Sequence, residues 1–265
     1  MKGSIHMSKH EKAMLLSTKL VAIDTYEIVI ETKNAKREAV PGQFVHIQVP
    51  NRPDLLLRRP ISINSVDIKT STMTLIIQAQ KEGTKILCNL APHTILDVIG
   101  PVGKGFFLSN GAKRVAVVGG GIGVAPLRYL IERYPKVEFD SFLGFINKKY
   151  IYQSQIFNKI SNLYMHTDDG SIGTKGFATN TLDEMLSKQH YDAVYACGPI
   201  PMFRALKDVM DKHPDVDCYI SMEERMGCGI GGCKVCVCKT IEKDEENYKK
   251  VCQDGPVFDI RKVVL

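Results

Sequence analysis

Four cysteines near the end of the chain have a spacing that suits iron–sulfur chemistry. Cys228, Cys233, Cys236 and Cys252 form a C-x4-C-x2-C motif followed by a distant fourth cysteine, which is the plant-type arrangement of a [2Fe-2S] cluster. The residues between the first two cysteines are Gly-Ile-Gly-Gly. Glycines let the chain wrap closely around a small cluster, and they let backbone N–H groups approach the sulfur atoms. We therefore predict that these four thiolates bind a [2Fe-2S] cluster.

A structural zinc site is the main alternative for these cysteines. Zinc sites with four cysteine ligands usually combine two C-x2-4-C pairs across a longer loop, whereas here three cysteines crowd one glycine-rich loop. Disulfides are not expected, because residues 1–11 are polar and do not read as a signal peptide, and cytosolic thiols stay reduced. Cys238 is a further thiol in this stretch, but it lies outside the spacing pattern and is not predicted to be a ligand.

A second motif, in the middle of the chain, has the form of a dinucleotide site. The apolar run at 114–118 reads as a buried strand, a glycine-rich loop follows it, and residues 127–133 read as a helix. In a strand–loop–helix unit of this kind, N–H groups at the start of the helix face a diphosphate. A purely structural glycine turn is the alternative. The predicted nucleotide-binding residues are Gly119, Gly120, Gly121, Ile122, Gly123 and Pro126.

Alternating strand and helix patterns continue to about residue 217, which is typical of a parallel, doubly wound sheet. One predicted strand, 191–196, runs into Cys197-Gly198-Pro199. Ligands bind at the carboxyl ends of such strands, so these residues are candidates for the nucleotide site, although a buried structural thiol is the commoner role of a cysteine. No ribose-binding acid stands out after the second strand, and Lys148 and Lys149 are the candidates for a 2′-phosphate contact.

Residues 12–108 contain short alternating stretches separated by turns such as Pro41-Gly42 and Glu82-Gly83, which predicts a compact antiparallel barrel. Within it, Arg59-Pro60-Ile61-Ser62 starts a strand. An arginine there can pair with a diphosphate through two hydrogen bonds. A serine three residues later can hydrogen-bond a heteroatom in the ring system of the same ligand. A solvated turn is the alternative interpretation of this motif alone.

Composition excludes other classes of protein. The net charge of +6 is spread along the chain without a dense basic block, which argues against nucleic-acid binding. No apolar run approaches the length of a membrane span. Together with cysteines expected to be free thiols, this predicts a cytoplasmic location.

Taken in order, the motifs resemble the ferredoxin reductase superfamily. Arg59 and Ser62 match its R-x-x-S element, and Cys197-Gly198-Pro199 matches its C-G-P element. The resemblance implies that Arg59 and Ser62 hold FAD, that Ser62 and Cys197 lie at the reacting rings, and that the nicotinamide cofactor is NAD. The family often has Tyr where this chain has Ile61, so an aliphatic side chain or another segment would stack on the flavin. The residues that the resemblance implies for FAD are Arg59, Pro60, Ile61, Ser62, Ile77, Gln78, Gly83 and Thr84.

The last quarter narrows this resemblance. The stretch 221–228, Ser-Met-Glu-Glu-Arg-Met-Gly-Cys, and the stretch 254–258, Asp-Gly-Pro-Val-Phe, resemble the electron-transfer subunit of class 1B dihydroorotate dehydrogenases. The likeness runs from about Lys12 to the end of the chain. It implies FAD, a [2Fe-2S] cluster, NAD and a catalytic partner subunit that carries FMN, in a heterotetramer with two of each. Electrons would pass from the partner's FMN through the cluster and FAD to NAD+ in pyrimidine biosynthesis.

The expected architecture is multidomain. We predict an FAD-binding antiparallel β-barrel at 12–108, an NAD-binding α/β domain with a parallel sheet at 111–217, and a small C-terminal [2Fe-2S] domain at 218–265. Two other functions stay open. One is a related NAD(P)H-dependent flavin and iron–sulfur oxidoreductase, of the sulfide dehydrogenase or bifurcating transhydrogenase type. The other is a non-enzymatic zinc or redox-sensing module on the same fold.

Overall fold

The first part of the chain is a closed antiparallel barrel. A computed structural model describes residues 9–33, 39–242 and 245–265, and within these ranges six strands close the barrel in the order β1-β2-β5-β4-β3-β6. The strands are β1 Lys9–Ala22, β2 Thr25–Glu31, β3 Phe44–Ile47, β4 Arg59–Asp67, β5 Thr72–Gln78 and β6 Ile95–Val102. β1 already begins at Lys9, because residues 9–11 continue the hydrogen-bonded ladder with β6.

The strand β3 shows how the barrel wall is built. Successive side chains of a strand point to opposite faces, so Val45 and Ile47 join the apolar barrel interior. Phe44 and His46 lie on the outer face, and Phe44 belongs to a second core shared with the C-terminal segment. This wall therefore separates the barrel interior from the cysteine-containing end of the chain.

The turn predicted at Glu82-Gly83 is wrong, because a short helix, α1 (Glu82–Cys88), begins there. The Thr84 hydroxyl accepts a hydrogen bond from the Lys81 N–H at 3.2 Å, which satisfies one of the free N–H groups at the helix start. The helix buries Leu87 and Cys88 against the barrel interior. Gly83 and Thr84 are thereby fixed next to the start of β4.

The second part is an α/β unit around a seven-stranded sheet, counted over the described residues. From here to the end of the chain the elements are β7 Arg114–Gly120, α2 Ala125–Arg133, β8 Glu138–Phe145, α3 Ser154–Ile160, β9 Asn162–Thr167, β10 Thr174–Lys175, α4 Ala178–Lys188, β11 Ala193–Cys197, α5 Ile200–Lys212, β12 Asp217–Ser221, β13 Val237–Glu242, β14 Glu245–Lys250 and β15 Val257–Asp259. The strand order of the large sheet is β10-β9-β8-β7-β11-β12-β15. Helices α2 and α3 pack on one face and α4 and α5 on the other, as predicted for a doubly wound fold.

The C-terminal segment packs on both larger parts. β13 and β14 form a hairpin of their own, but β15 returns to pair antiparallel with β12 at the edge of the large sheet. Cys236 and Cys252 share a core with Phe203 of α5 and Phe44 of the barrel. A segment this short buries little apolar surface alone, so its attachment to both parts stabilises it. No helix within the described ranges is long and apolar enough to cross a membrane.

Candidate functional site: two joined cavities and a cysteine loop

A cavity of about 370 Å³ lies where the barrel faces the α/β sheet. It contains most of the residues that the sequence implied for FAD: Pro60, Ile61, Ser62, Ile77, Gln78 and Thr84. The other two, Arg59 and Gly83, lie against each other, and a Cβ at Gly83 would come within 2.3 Å of Arg59 Nε. The Arg59 guanidinium therefore lies directly over Gly83 at the cavity rim, beside Pro60 and Thr84 of the cavity lining.

The two neighbouring arginines of this rim have different partners. Arg58 donates to the Asp97 carboxylate at 2.6 Å and to the Asp97 carbonyl at 2.9 Å, so its charge is neutralised within the barrel. Arg59 donates to the Leu57 carbonyl, and it has no carboxylate partner among the described residues. A guanidinium without a carboxylate, beside a glycine, fits a diphosphate.

The opposite wall of this cavity comes from a segment that the sequence analysis did not place at the flavin site. Ser221, Met222, Glu223, Glu224, Arg225, Met226 and Pro256 all line it. The sequence signal for this wall was the run Met-Glu-Glu-Arg-Met at 222–226. It lies between the buried strand β12 and the cysteine loop, residues 228–236. The C-terminal segment thus closes the flavin cavity as well as carrying the cysteines.

A second cavity, of about 630 Å³, lies at the carboxyl edge of the parallel sheet. The predicted nucleotide residues Gly119, Gly120, Gly121, Ile122, Gly123, Gly198 and Pro199 all line it. Its volume is in the range of small-molecule and cofactor sites. Pro126 is instead buried in the first turn of α2, where its missing N–H is no loss.

The glycine loop is held tightly in place. A Cβ at Gly123 would lie 2.3 Å from the Cys197 carbonyl oxygen, so the loop packs directly on the Cys-Gly-Pro turn. The Tyr152 hydroxyl lies 3.2 Å from the Gly121 carbonyl oxygen and 3.1 Å from that of Ile122. The loop that faces the second cavity is therefore packed on the Cys-Gly-Pro turn and hydrogen-bonded to Tyr152.

Cys197 itself is 1% exposed and does not line either cavity. Burial raises the pKa of its thiol, and Ser221 lies within hydrogen-bonding reach of it. Ser221 lines the first cavity, so its side chain lies between the Cys197 thiol and that cavity. The predicted role of Cys197 at the reacting rings stays a prediction.

The two cavities join at a shared wall. Gln78, Gln80, Ile122 and Glu223 line both of them. Surrounding protein raises the pKa of the Glu223 carboxyl by desolvation. A ligand in each cavity would meet at this wall, which is the geometry that hydride transfer between two bound rings requires.

The second cavity also has apolar and acidic residues in its lining. Ile146 and Phe177 line it and are exposed large apolar side chains, and Asp168 lies between them in the chain at the end of β9. Lys148 and Lys149, the candidates for a 2′-phosphate contact, do not line the cavity. Asp168 is thus an acidic residue that lines this cavity directly after the third strand of the α/β unit.

The cysteine loop and the turn after β14, which carries Cys252, bring the four predicted ligands together as two pairs. The Cys228 N–H lies 3.3 Å from Cys233 Sγ, and the Cys252 N–H lies 3.4 Å from Cys236 Sγ. The Gly231 N–H contacts Cys252 Sγ at 3.2 Å, which links the pairs. One pair is partly exposed, and the other is buried.

The pKa values of two of these thiols shift in opposite directions. Burial and the neighbouring Cys236 raise the pKa of Cys252 to about 12. Burial opposes ionisation of the Cys228 thiol, but N–H groups of Ile230, Cys233 and Gly232 outweigh it and lower its pKa to about 7. Two linked pairs of thiols fit a two-iron cluster better than one tetrahedral zinc ion.

A buried histidine lies behind this loop. His46 of β3 is fully buried, and burial lowers its pKa to about 4, against the nearby backbone of Arg58 and Cys228, which raises it. A Cβ at Gly229 would lie 2.3 Å from its Nδ1. The sequence analysis missed this residue, whose signal was a single polar side chain in the apolar strand Phe-Val-His-Ile.

Comparisons with known proteins agree with this geometry. The family model of the iron-sulfur cluster binding domain of dihydroorotate dehydrogenase B matches residues 223–264. In fold, the chain is similar to a chain of the NADH-dependent reduced ferredoxin-NADP oxidoreductase, with a TM-score of 0.83 at 25% identity over 100% of this chain and 91% of the other. A cytochrome P450 reductase from Amycolatopsis gives a TM-score of 0.66 at 20% identity over 78% of this chain and 67% of the other.

Curated relatives are closer in sequence. The dihydroorotate dehydrogenase B (NAD(+)), electron transfer subunit, of Geobacillus sp. (strain WCH70) is 41% identical over 98% of this chain and 100% of its own. That of Shouchella clausii (strain KSM-K16) is 42% identical over 92% of this chain and 94% of its own. These matches confirm the resemblance and the fold that the sequence predicted. The chain belongs to the family of electron transfer subunits of dihydroorotate dehydrogenase B (NAD(+)).

Proposed function

We propose that this chain passes electrons from the FMN of a dihydroorotate dehydrogenase catalytic subunit, by way of a [2Fe-2S] cluster and FAD, to NAD+ in pyrimidine biosynthesis. The observation that carries the proposal is the continuity of the three sites. The cysteine loop packs on β3, β3 pairs with β4, and β4 lines a cavity that shares Gln78, Gln80, Ile122 and Glu223 with the nucleotide cavity.

The residues of the chain would divide this work. When bound, the flavin takes up or gives a hydride on one side and single electrons on the other, which links a nicotinamide to an iron–sulfur centre. Arg59 would bind the FAD diphosphate, and Ser62 would orient the ring. The loop at 119–123 would bind NAD, with Cys197, Gly198 and Pro199 at its reacting end. Cys228, Cys233, Cys236 and Cys252 would hold the cluster.

The organisation of the protein follows from the same proposal. We take 12–108 as the FAD-binding unit, 111–217 as the NAD-binding unit and 218–265 as the cluster-bearing unit. A catalytic partner that carries FMN would complete a heterotetramer with two of each subunit, located in the cytoplasm. The printed name of the relatives, an electron transfer subunit, supports the need for a partner.

Reconstitution tests the proposal. The purified chain should contain FAD, iron and sulfide, and it should oxidise NADH with an artificial electron acceptor. It should show no activity on dihydroorotate alone. Addition of the catalytic subunit from the same organism should couple dihydroorotate oxidation to NAD+ reduction. Dihydroorotate-dependent NAD+ reduction by this chain alone would contradict the proposal. So would the absence of that reduction when the catalytic subunit is present.

A related NAD(P)H-dependent flavin and iron–sulfur oxidoreductase is the second candidate. The similarity to the NADH-dependent reduced ferredoxin-NADP oxidoreductase over the whole of this chain favours it, but at 25% identity against 41% for the dihydroorotate dehydrogenase relative. Activity with reduced ferredoxin and no coupling to dihydroorotate would favour the second candidate.

A further inference from the structure

His46 connects the wall of the flavin barrel to the cysteine loop. It lies in β3, whose residues Val45 and Ile47 point into the barrel, so the His46 ring points outward with Phe44. Phe44 packs in the same core as Cys236 and Cys252. Pro60, which lines the flavin cavity, is the residue opposite His46 on β4. The histidine is thus one strand from the flavin cavity and in contact with the cysteine loop.

The contact with the loop is close at the residue that follows a predicted cluster ligand. A Cβ on Gly229 would lie 2.3 Å from His46 Nδ1 and 3.0 Å from its Cε1. Gly229 has a φ of +72°, a conformation that favours glycine. The carbonyl oxygens of Arg58 and Cys228 lie near the ring, but neither meets hydrogen-bond geometry. The loop and the ring therefore meet without an intervening side chain.

The imidazole has no hydrogen-bond partner within the part of the chain that is described. Both of its nitrogen atoms are buried and unpaired there, whereas buried polar groups in proteins are nearly always paired. An imidazole carries at least one ring N–H that it can donate, whatever its charge state. The nearest backbone acceptor on the cysteine loop is the carbonyl of Cys228.

We propose that His46 is a positioning residue that donates its ring N–H to the Cys228 carbonyl once the loop holds its cluster, fixing the loop on the flavin barrel and favouring the reduced cluster. This inference rests on the proposed function, because it takes Cys228 as a ligand. An N–H dipole directed at the Cys228 residue stabilises the additional negative charge of reduction. A histidine that only fills space would have no such effect on the cluster.

Two substitutions distinguish hydrogen-bond donation by His46 from the packing of its ring. His46→Leu replaces the ring with an apolar side chain of similar size that has no N–H, and His46→Asn keeps a side-chain N–H. In the full-length chain, redox titration followed by electron paramagnetic resonance should show that His46→Leu lowers the ratio of reduced to oxidised cluster about tenfold at a given potential, which is a shift of about 59 mV to more negative potential for one electron. In His46→Asn, the cluster potential should return most of the way to the wild-type value. FAD content and NADH–dye activity should stay at the wild-type level in both variants.

A measurement on the wild-type chain covers the case in which His46→Leu does not fold. In protein labelled with 15N-histidine, the His46 ring N–H should exchange slowly with solvent and should shift when the cluster is reduced, and the signal should be absent from His46→Asn. An unchanged cluster potential in a folded His46→Leu variant, or no protected ring N–H in the wild type, would overturn the inference alone. A wild-type chain without iron and sulfide would contradict the proposed function and the inference together.

Discussion

The side-chain amides of Asn64 and Gln153 form a double hydrogen bond between the flavin barrel and the α/β unit. Asn64 Nδ2 donates to Gln153 Oε1 at 3.0 Å, and Gln153 Nε2 donates to Asn64 Oδ1 at 2.9 Å. Asn64 Nδ2 also donates to the Ala125 carbonyl at 2.7 Å. Ala125 starts the helix behind the glycine loop, and Asn64 is two residues beyond Ser62 on β4. The pair therefore fixes the flavin strand relative to the nucleotide loop.

We expect Asn64→Ala to weaken this connection. Asn64 is fully buried, and its loss removes the N–H donor to Gln153 Oε1 and to the Ala125 carbonyl. Gln153 Nε2 keeps its contact with the Glu27 carboxylate at 3.4 Å. Each buried polar group left unpaired costs about 1–3 kcal/mol, so the free energy of unfolding should fall by at least about 2 kcal/mol. Urea unfolding of the flavin-loaded chain measures this loss.

A matched control is available on α3. Asn158 is exposed, so Asn158→Ala should change the free energy of unfolding by less than about 0.5 kcal/mol. In the double variant Asn64→Ala with Gln153→Ala, the two losses should be less than additive, because the residues share a hydrogen-bonded pair. Full additivity would show that the pair does not couple the two units.

Sequence patterns were sufficient to predict the elements whose structure depends on residues close to them along the chain. The apolar run before Gly119 and the helix after Pro126 lie where the strand–loop–helix pattern predicted them. The contacts of His46 with Gly229 and of Asn64 with Gln153 join residues far apart in sequence. No periodicity signals such pairs, because a polar residue in a strand reads the same whether it faces solvent or a distant loop.

The start of α1 and the return of β15 illustrate the same limit. Glu82-Gly83 has turn composition, but the cap at Lys81 and burial of Leu87 stabilise a helix there. β15 has only three residues, and it forms by pairing with the edge of β12. Tertiary packing outweighs local preference in both places.

The two neighbouring arginines of the flavin rim allow a paired test. Arg59→Ala should weaken FAD binding about tenfold or more, because each charge-assisted hydrogen bond to the diphosphate contributes roughly 1.5–3 kcal/mol. Arg58→Ala should retain FAD, since Arg58 pairs with Asp97 instead. Flavin content after extensive dialysis, read from absorbance, distinguishes the variants. Equal retention by both would show that Arg59 is only a turn residue.

The cysteines give a prediction about metal content. Cys228→Ser, Cys233→Ser, Cys236→Ser and Cys252→Ser should each reduce iron and sulfide and bleach the cluster absorbance, because a serine hydroxyl is a poor substitute for a thiolate ligand. Cys218→Ala and Cys238→Ala are the controls, and both should keep a full cluster. NADH–dye activity should survive in all six variants, since none of these thiols lines the nucleotide cavity. Normal iron content in Cys252→Ser would remove that residue from the ligand set.

The last prediction concerns the choice between NAD and NADP. Asp168 lies at the carboxyl end of β9 and lines the nucleotide cavity near Ile146 and Phe177. A carboxylate there can accept hydrogen bonds from ribose hydroxyls, and it repels a 2′-phosphate, which carries about −1.5 to −2 charges at neutral pH. Asp168→Ser should weaken NADH binding about tenfold and strengthen NADPH binding, measured by quenching of flavin fluorescence. Asp169→Ser is the control: Asp169 accepts a hydrogen bond from the Ser171 N–H at 2.9 Å and does not line the cavity, so its removal should leave the ratio of the two affinities unchanged. If Asp168→Ser also leaves that ratio unchanged, the ribose binds away from β9 and the preference for NAD has another source.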